Sequence, residues 1–422
     1  MPFFYYLCEE ESNKMNLTTE NILLIGSVLL FVSIIAGKAG NRFGVPVLLL
    51  FLSVGMIFGS DGLGIEFNSP YATQFIGLVA LSIILFSGGM DTKISDIKPV
   101  LRSGIVLSSL GVLLTTLFTG GIIFFLSNFF TRIVTFTLPE SMLLAAIMSS
   151  TDSASVFSIL RSKGVKLKGN IKPLLELESG SNDPMAFMLT ILFLKMVQSS
   201  DTGTLSFVFN LLMQFGIGAI CGYLIAKLTL LIVRRVNFES KSLYHVLLLA
   251  SMFFTFSFTD LIYGNGFLAV YVAGLTIGNS KVQCDETAYN FFDSIAWLSQ
   301  LILFLTLGLL VNPSDLISYE VAAIGLFVAF SLIIISRPFA VFLSLIPFKS
   351  ISNRTKHFVS WVGLKGAVPI VFATYPLLAG IDKSGLIFNI VFFVTIVSLL
   401  IQGTTVNYVA RKMGLTKDDE AS

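Results

Sequence analysis

The chain reads as a succession of apolar runs, parted by short breaks that hold the charges and the turn residues. Uninterrupted apolar runs of this length predict membrane-crossing helices rather than strands. They lie near 20–37, 45–60, 73–90, 102–127, 140–162, 171–198, 206–233, 242–261, 264–280, 288–311, 319–346, 354–377 and 384–410. The pattern predicts an all-α polytopic membrane protein with 13 transmembrane helices. It divides the chain into an extracytoplasmic segment 1–19, a membrane domain 20–410 and a cytoplasmic tail 411–422.

Composition narrows the solvent. Hydrophobic residues make up 55% and charged residues 12% of the chain, against about 25% charged in an ordinary soluble domain. That leaves too little polar surface to keep a globule in water, so most of the chain faces lipid or itself. The distribution of basic residues then orients it. One set of alternate breaks carries Lys38 and Arg42; Lys93, Lys98 and Arg102; Arg161, Lys163, Lys166, Lys168 and Lys172; Arg234, Arg235 and Lys241; Lys281; Lys349, Arg354 and Lys356; and Arg411, Lys412 and Lys417. The other set, with the N-terminus, carries only Lys14, Arg132 and Lys383. Cytoplasmic loops collect Lys and Arg, so the N-terminus is placed outside and the C-terminus in the cytoplasm. Short loops suit a prokaryotic inner membrane.

Several chemistries are set aside. A net charge of +2 gives no footprint for nucleic acid. Cys8, Cys221 and Cys284 are odd in number and far apart, which speaks against a disulfide framework. His245 and His357 are isolated. The first residues are acidic after their apolar part and do not read as a signal peptide; the sequon at Asn16 is a short motif of high chance frequency. No nucleophile–base constellation and no cofactor motif is present, so an enzyme is not expected.

Three polar sites interrupt the apolar runs. An ionisable side chain at membrane depth costs at least about 2.5–3.5 kcal/mol and so calls for a partner or a function. The first site, Ser149 to Ser155 in the fifth run, holds Thr151 and Asp152 among four serines. Asp prefers a helix N-cap to a helix interior. The string therefore predicts a break, with Asp152 or Ser153 capping a new helix; the alternative is an unbroken helix with hydroxyls at a helix–helix contact. The second site is Glu178-Ser179-Gly180-Ser181-Asn182-Asp183-Pro184 in the sixth run. On a helix Ser179 and Asp183 share a face, as do Glu178 and Asn182. Pro184 frees the carbonyl of Gly180, and Gly180 admits a neighbouring backbone. The result is a patch of oxygen ligands of the kind hard cations prefer, the alternative being a structural salt-bridge network. The third site is Lys365, between Gly363, Gly366 and Pro369 in the twelfth run, which predicts a second break. Lys365 needs an anion, and Glu178 is the expected one, unless the lysine snorkels to an interface.

Spacing joins the sites. If the run 206–233 is a linker, the repeats 20–198 and 242–410 hold six runs each and face opposite ways. The fifth and twelfth runs then correspond, and both are the broken ones. Two inverted six-helix repeats, with broken helices 5 and 12 crossing at the midplane, are a recurrent transporter design.

Four strings carry a resemblance over nearly the whole chain: 150–160 (STDSASVFSIL), 175–187 (LELESGSNDPMAF), 264–279 (GNGFLAVYVAGLTIGN) and 361–376 (WVGLKGAVPIVFATYP). With them the sequence resembles the NhaP-type, electroneutral branch of the monovalent cation/proton antiporters, and is most similar to the CvrA-like potassium/proton group. The resemblance implies that Asp183 binds cation and proton alternately. It implies that Glu178, Ser179 and Asn182 help to form the cation site, with Thr151 and Asp152 at the helix break. It implies a homodimer whose core bundle moves, elevator-like, against a dimerisation bundle. The basic residue of the twelfth span is usually Arg in such proteins and is Lys365 here. Electrogenic relatives carry a second Asp where this chain has Asn182. CvrA-like members often continue into a cytoplasmic regulatory domain, and this sequence stops where that domain would begin.

The expected activity is electroneutral exchange of one monovalent cation, K⁺ before Na⁺, for one proton, with no cofactor. One carboxylate can hold either ion and cannot cross a low-dielectric region bare. A cation channel, and an organic-anion symporter on a related scaffold, are the alternatives.

Overall fold

The computed structural model describes residues 19–43, 46–67, 69–131, 134–198, 204–236, 239–280 and 286–417. Cys8, Cys284, the Asn16 sequon, Lys14, Arg132, Lys281 and nearly all of the segment 1–19, with the tail after Lys417, fall outside these residues. The described chain is helical, and its one β-type pairing is an isolated antiparallel bridge between Leu167 and Thr416.

The helices are α1 (Thr19–Phe43), α2 (Val47–Phe58), α3 (Pro70–Asp91), α4 (Ile94–Phe129), α5 (Leu138–Ile147), α6 (Ser153–Ser162), α7 (Ile171–Gln198) and α8 (Thr204–Arg235). They continue with α9 (Lys241–Leu261), α10 (Gly266–Gly278), α11 (Glu286–Leu310), α12 (Tyr319–Ser344), α13 (Asn353–Trp361), α14 (Ala367–Leu378) and α15 (Ser384–Lys412). Among the described residues seven helices are long and apolar enough to cross a membrane; α2, α5, α10 and α14 are apolar but shorter. Large apolar side chains such as Phe31, Phe75 and Leu212 stand exposed on the outer faces, as lipid-facing side chains do.

Local chemistry fixes the ends. Ser69 caps α3, its Oγ accepting from Ala72 N at 3.2 Å, with Pro70 in the first turn. Thr137 and Glu140 form a capping box at the start of α5. Glu140 also pairs with Lys383 at 3.0 Å, which fastens that end of α5 to the turn before α15.

Two bundles result. α2, α3, α10 and α11 pack on one another, with α1, α8 and α9 around them. α4, α5 and α7 form the second bundle with α12, α14 and α15. The bundles meet where α7 and α14 lie against α3, α10 and α11. Glycines draw the first bundle tight. A Cβ on Gly55 of α2 would stand 2.8 Å from Gly308 Cα of α11, and one on Gly89 of α3 would stand 2.6 Å from the carbonyl oxygen of Tyr271 on α10. Gly274 and Gly278 of α10 are one turn apart and face the backbone of Phe86 and Met90. Small residues of this kind let helices pack by close backbone contact where lipid supplies no hydrophobic drive.

At one end of the molecule the loop after α6 is joined to the end of α15. Lys168 N donates to Leu415 O at 2.8 Å, and Lys417 N to Lys166 O at 2.9 Å, on either side of the Leu167–Thr416 bridge.

Replacing Gly308 with Leu should lower thermal stability in detergent by an amount equivalent to about 1–3 kcal/mol, because side-chain atoms would be forced between two backbones. Gly121→Ala, where a Cβ meets nothing within 4 Å, should melt like the parent. Equal melting of all three proteins would contradict the close α2–α11 contact.

Candidate functional site

The two interrupted helices build the site. α5 ends at Ile147 and α6 starts at Ser153, with Asp152 as its N-cap. Asp152 Oδ1 accepts from Ser155 N at 3.0 Å, and Ser155 Oγ donates to Oδ2. α13 ends at Trp361 and α14 starts at Ala367, leaving 362–366 as open backbone. The breaks touch through the main chain, where Asp152 N donates to Leu364 O at 2.8 Å. Gly366 passes so close that a Cβ there would stand 2.9 Å from Asp152 Cγ.

Buried side chains meet further backbone groups of the breaks. Lys365 Nζ donates to Ser150 O at 2.8 Å, where the carbonyl end of α5 carries partial negative charge. Lys365 N donates to Ser398 Oγ at 2.9 Å, Ser398 Oγ to Gln402 Oε1 at 2.5 Å, and Gln402 Nε2 to Trp361 O at 2.6 Å. Ser398 and Gln402 are supplied by α15, which widens to a π-helical turn at Leu399–Gly403.

α7 lies across the first break. Ser179 Oγ donates to Thr151 O at 2.8 Å and accepts from Ser153 N at 3.1 Å, so one hydroxyl spans the gap. Asn182 Nδ2 donates to Thr151 Oγ1 at 2.5 Å. Asp183 follows. It is 9% exposed, and its Oδ1 has no hydrogen-bond partner. Asp152 and Lys365 lie within its electrostatic reach.

A cavity of about 500 Å³ leads to this carboxylate. Asp183, Asp152, Ser179 and Gly180 line it, and Asp91, Glu176 and Asp293 add negative charge beside a single Arg161. One helical turn beyond Asp183 along α7, Phe187 packs in a cluster of rings. Its ring meets Phe267 at 5.1 Å, Tyr375 at 5.4 Å and Phe372 at 5.5 Å between centroids. The cavity thus reaches Asp183 from the side of Glu176 and Ser179, and the aromatic cluster lies one turn farther along α7.

The structure sorts the residues named from sequence. Asp183, Ser179 and Asp152 reach the cavity; Thr151, Asn182, Glu178 and Lys365 stand behind it. Glu178 does not pair with Lys365. Its Oε1 meets Arg337 Nη2 of α12, with both side chains buried, while Lys365 is turned to Ser150 O. The reason is reach and geometry: α12 passes behind α7, and the planar guanidinium suits a carboxylate better than a point charge does. Arg337, inside an apolar run, was itself the overlooked signal. The group that Gly180 admits is the Tyr271 ring, not a backbone, since a Cβ there would stand 2.7 Å from Tyr271 Cζ. Asn265, within the string 264–279, caps α10 and donates to Pro184 O at 3.0 Å, which ties α10 to the bend of α7.

Comparison with known proteins bears on the family and the fold. A family model described as "Sodium/hydrogen exchanger, transmembrane" matches residues 27–412. The chain is 38% identical over 409 residues to "K(+)/H(+) antiporter NhaP2" of Shewanella baltica, covering 95% of this chain and 67% of that protein. It is 40% identical over 408 residues to "K(+)/H(+) antiporter NhaP" of Alkalimonas amylolytica, covering 96% and 68%. The chain thus spans about two thirds of the length of these relatives. The structure of the sodium proton antiporter MjNhaP1 from Methanocaldococcus jannaschii at pH 8 superposes with a TM-score of 0.79 at 25% identity, over 93% of this chain and 99% of that one.

Removing one partner of a buried ion pair strands the other and costs about 3–5 kcal/mol. Arg337→Met should therefore melt far below the parent, and Arg337→Met with Glu178→Leu should recover much of the loss. Additive losses in the double variant would show that the two side chains do not stabilise each other.

Proposed function

Because the chain belongs to the sodium/hydrogen exchanger family, we propose that it exchanges a monovalent cation, K⁺ before Na⁺, for a proton across a membrane. One observation carries the reading: Asp183 presents a buried, unpartnered carboxylate oxygen at the inner end of an acid-lined cavity. The potassium preference leans on the names of the two relatives above.

Asp183 is the exchanging group. With its neighbours bonded to each other, it can take a proton or a desolvated cation but not both. A bare charge is too costly to carry through a low-dielectric region, so the site crosses loaded in either direction. Asn182 beside it is uncharged and committed to Thr151, which supports one proton per cation and electroneutral exchange. Ser179 and Asp152 are the oxygen donors best placed to share a cation with Asp183. Lys365, Arg337 and Glu178 are positioning residues that keep the breaks and α7 in register.

The same reading covers the architecture. Thirteen membrane segments, with 20–198 and 242–410 as inverted repeats and 206–233 as linker, fit the interleaving of the bundles, since each bundle draws helices from both halves. The bundle with the breaks moves against the other, parting the rings of Phe187 and Phe372 from Phe267 while the acid-lined cavity closes. Loop charge supports an N-terminus outside and a cytoplasmic end at 411–422, in a prokaryotic inner membrane. A homodimer and the absence of a resident cofactor complete the proposal.

Asp183→Asn should fold normally and show no exchange in sealed proteoliposomes, read as internal pH while K⁺, Na⁺ or Li⁺ is added outside. K⁺ should give the largest response, and transport by Asp183→Asn at the parent rate would overturn the assignment. Competition at one carboxylate also sets the pH profile. As pH falls, the apparent KM for the cation should rise by up to about tenfold per unit while the maximal rate holds; at high pH the rate should fall for want of protons. A KM that ignores pH would contradict a shared site.

A further inference from the structure

A second cavity, of about 690 Å³, opens between α12, α13 and α15 on the outside of the bundle that holds the breaks. It lies at the same end of the molecule as the mouth of the acidic cavity, because the Leu167–Thr416 bridge joins the two places. Its character is the opposite. Arg354, Arg411 and Lys412 line it, with the imidazole of His357, and no carboxylate does. Among the described residues none of these three cations makes an ion pair. Gathering like charges without a counter-charge is unfavourable unless an anion joins them.

The geometry of the groove says which kind of anion. Its basic side chains come from the start of α13 and the end of α15, and Arg354 reaches across, with Nη1 at 3.9 Å from where a Gly414 Cβ would be. Beneath them the wall is apolar, formed by Ile333, Ile334 and Pro338 of α12. Ile334 is 47% exposed on the outer face, so this wall runs out toward lipid. Trp361 and Tyr408 complete the sides, Tyr408 being 64% exposed with Lys412 Nζ 5.6 Å from its ring. Aromatics of this kind favour the boundary between headgroups and hydrocarbon. A soluble phosphate would use only the rim. A phospholipid uses rim and wall together.

We infer that this groove binds the phosphate headgroup of an anionic phospholipid, with Arg354, Arg411 and Lys412 on the phosphate and an acyl chain along Ile334 and Pro338. Basic pockets between membrane helices bind such headgroups by the same combination. The site sits on the bundle with the breaks, away from Asp183, and does not depend on which ion is exchanged.

Trp361 gives a direct readout. In a Trp297→Phe background it is the chain's one remaining tryptophan, and brominated lipid beside it quenches its fluorescence. In mixed detergent–lipid micelles, brominated phosphatidylglycerol should quench more strongly than brominated phosphatidylcholine at equal mole fraction. The preference should weaken about tenfold or more in Arg354→Ala/Arg411→Ala, since each basic residue near an anionic headgroup contributes about one factor of five. Inorganic phosphate in excess should not displace the lipid. Equal quenching by the two lipids in the parent protein overturns the inference even if the double variant fails to fold. Full displacement by inorganic phosphate overturns it in favour of a soluble anion. If instead the acidic run Asp418-Asp419-Glu420 fills the groove, the lipid preference is absent in the full chain and emerges on truncation after Lys417, which also overturns it.

Discussion

A helix that stops at membrane depth leaves donors and acceptors where no water can meet them, and the rest of this structure is arranged around that difficulty. Two helices stop, at 148–152 and 362–366. An unmet backbone group in such a place costs several kcal/mol. The breaks answer part of it in each other, through Asp152 N and Leu364 O. The remainder recruits Ser179 and Asn182 from α7, Ser398 and Gln402 from α15, and the ammonium of Lys365. Most of the polar side chains around Asp183 are thus explained by the backbone before any ion is considered. Asp183 differs because one of its oxygens is left over.

The two bundles are held by different means. Between α2 and α11, and between α3 and α10, glycines bring backbones into contact, which leaves little room for rearrangement there. In the other bundle directional bonds tie α7 and α15 to the two breaks. Between the bundles lie the ring contacts of Phe267 with Phe187 and Phe372 and, among the described residues, hydrogen bonds from Asn265 to Pro184 O and from Ile94 N to Asn279 Oδ1. Apolar ring contacts slide at lower cost than hydrogen bonds break, which supports the proposed movement of one bundle against the other.

Much of this was legible in the sequence because membrane helices announce themselves one at a time. Single runs coincide with helices: 171–198 is α7 throughout, and 354–377 spans the break with all but one end residue each of α13 and α14. The broken helices were legible because Asp152 among hydroxyls and Lys365 among glycines are poor helix-interior sequences. Partners were harder. Pairing Glu178 with Lys365 followed from matching the buried charges that stood out, yet Arg337 lies in α12, whose approach to α7 no linear pattern contains. The cavity lining shows the same limit, since Asp91, Glu176 and Asp293 come from three separate helices and look in sequence like ordinary helix-end charges.

The bridge between Leu167 and Thr416 is a small feature with a mechanical meaning. The loop after α6 and the end of α15 are sewn together by Lys168 N to Leu415 O and Lys417 N to Lys166 O. A force applied at residue 417 therefore does not dissipate in a loose helix end. It is delivered through a short, hydrogen-bonded lever to the C-terminal end of the helix that Asp152 caps. Any polypeptide joined after Lys417 would pull on the first break about as directly as on α15 itself.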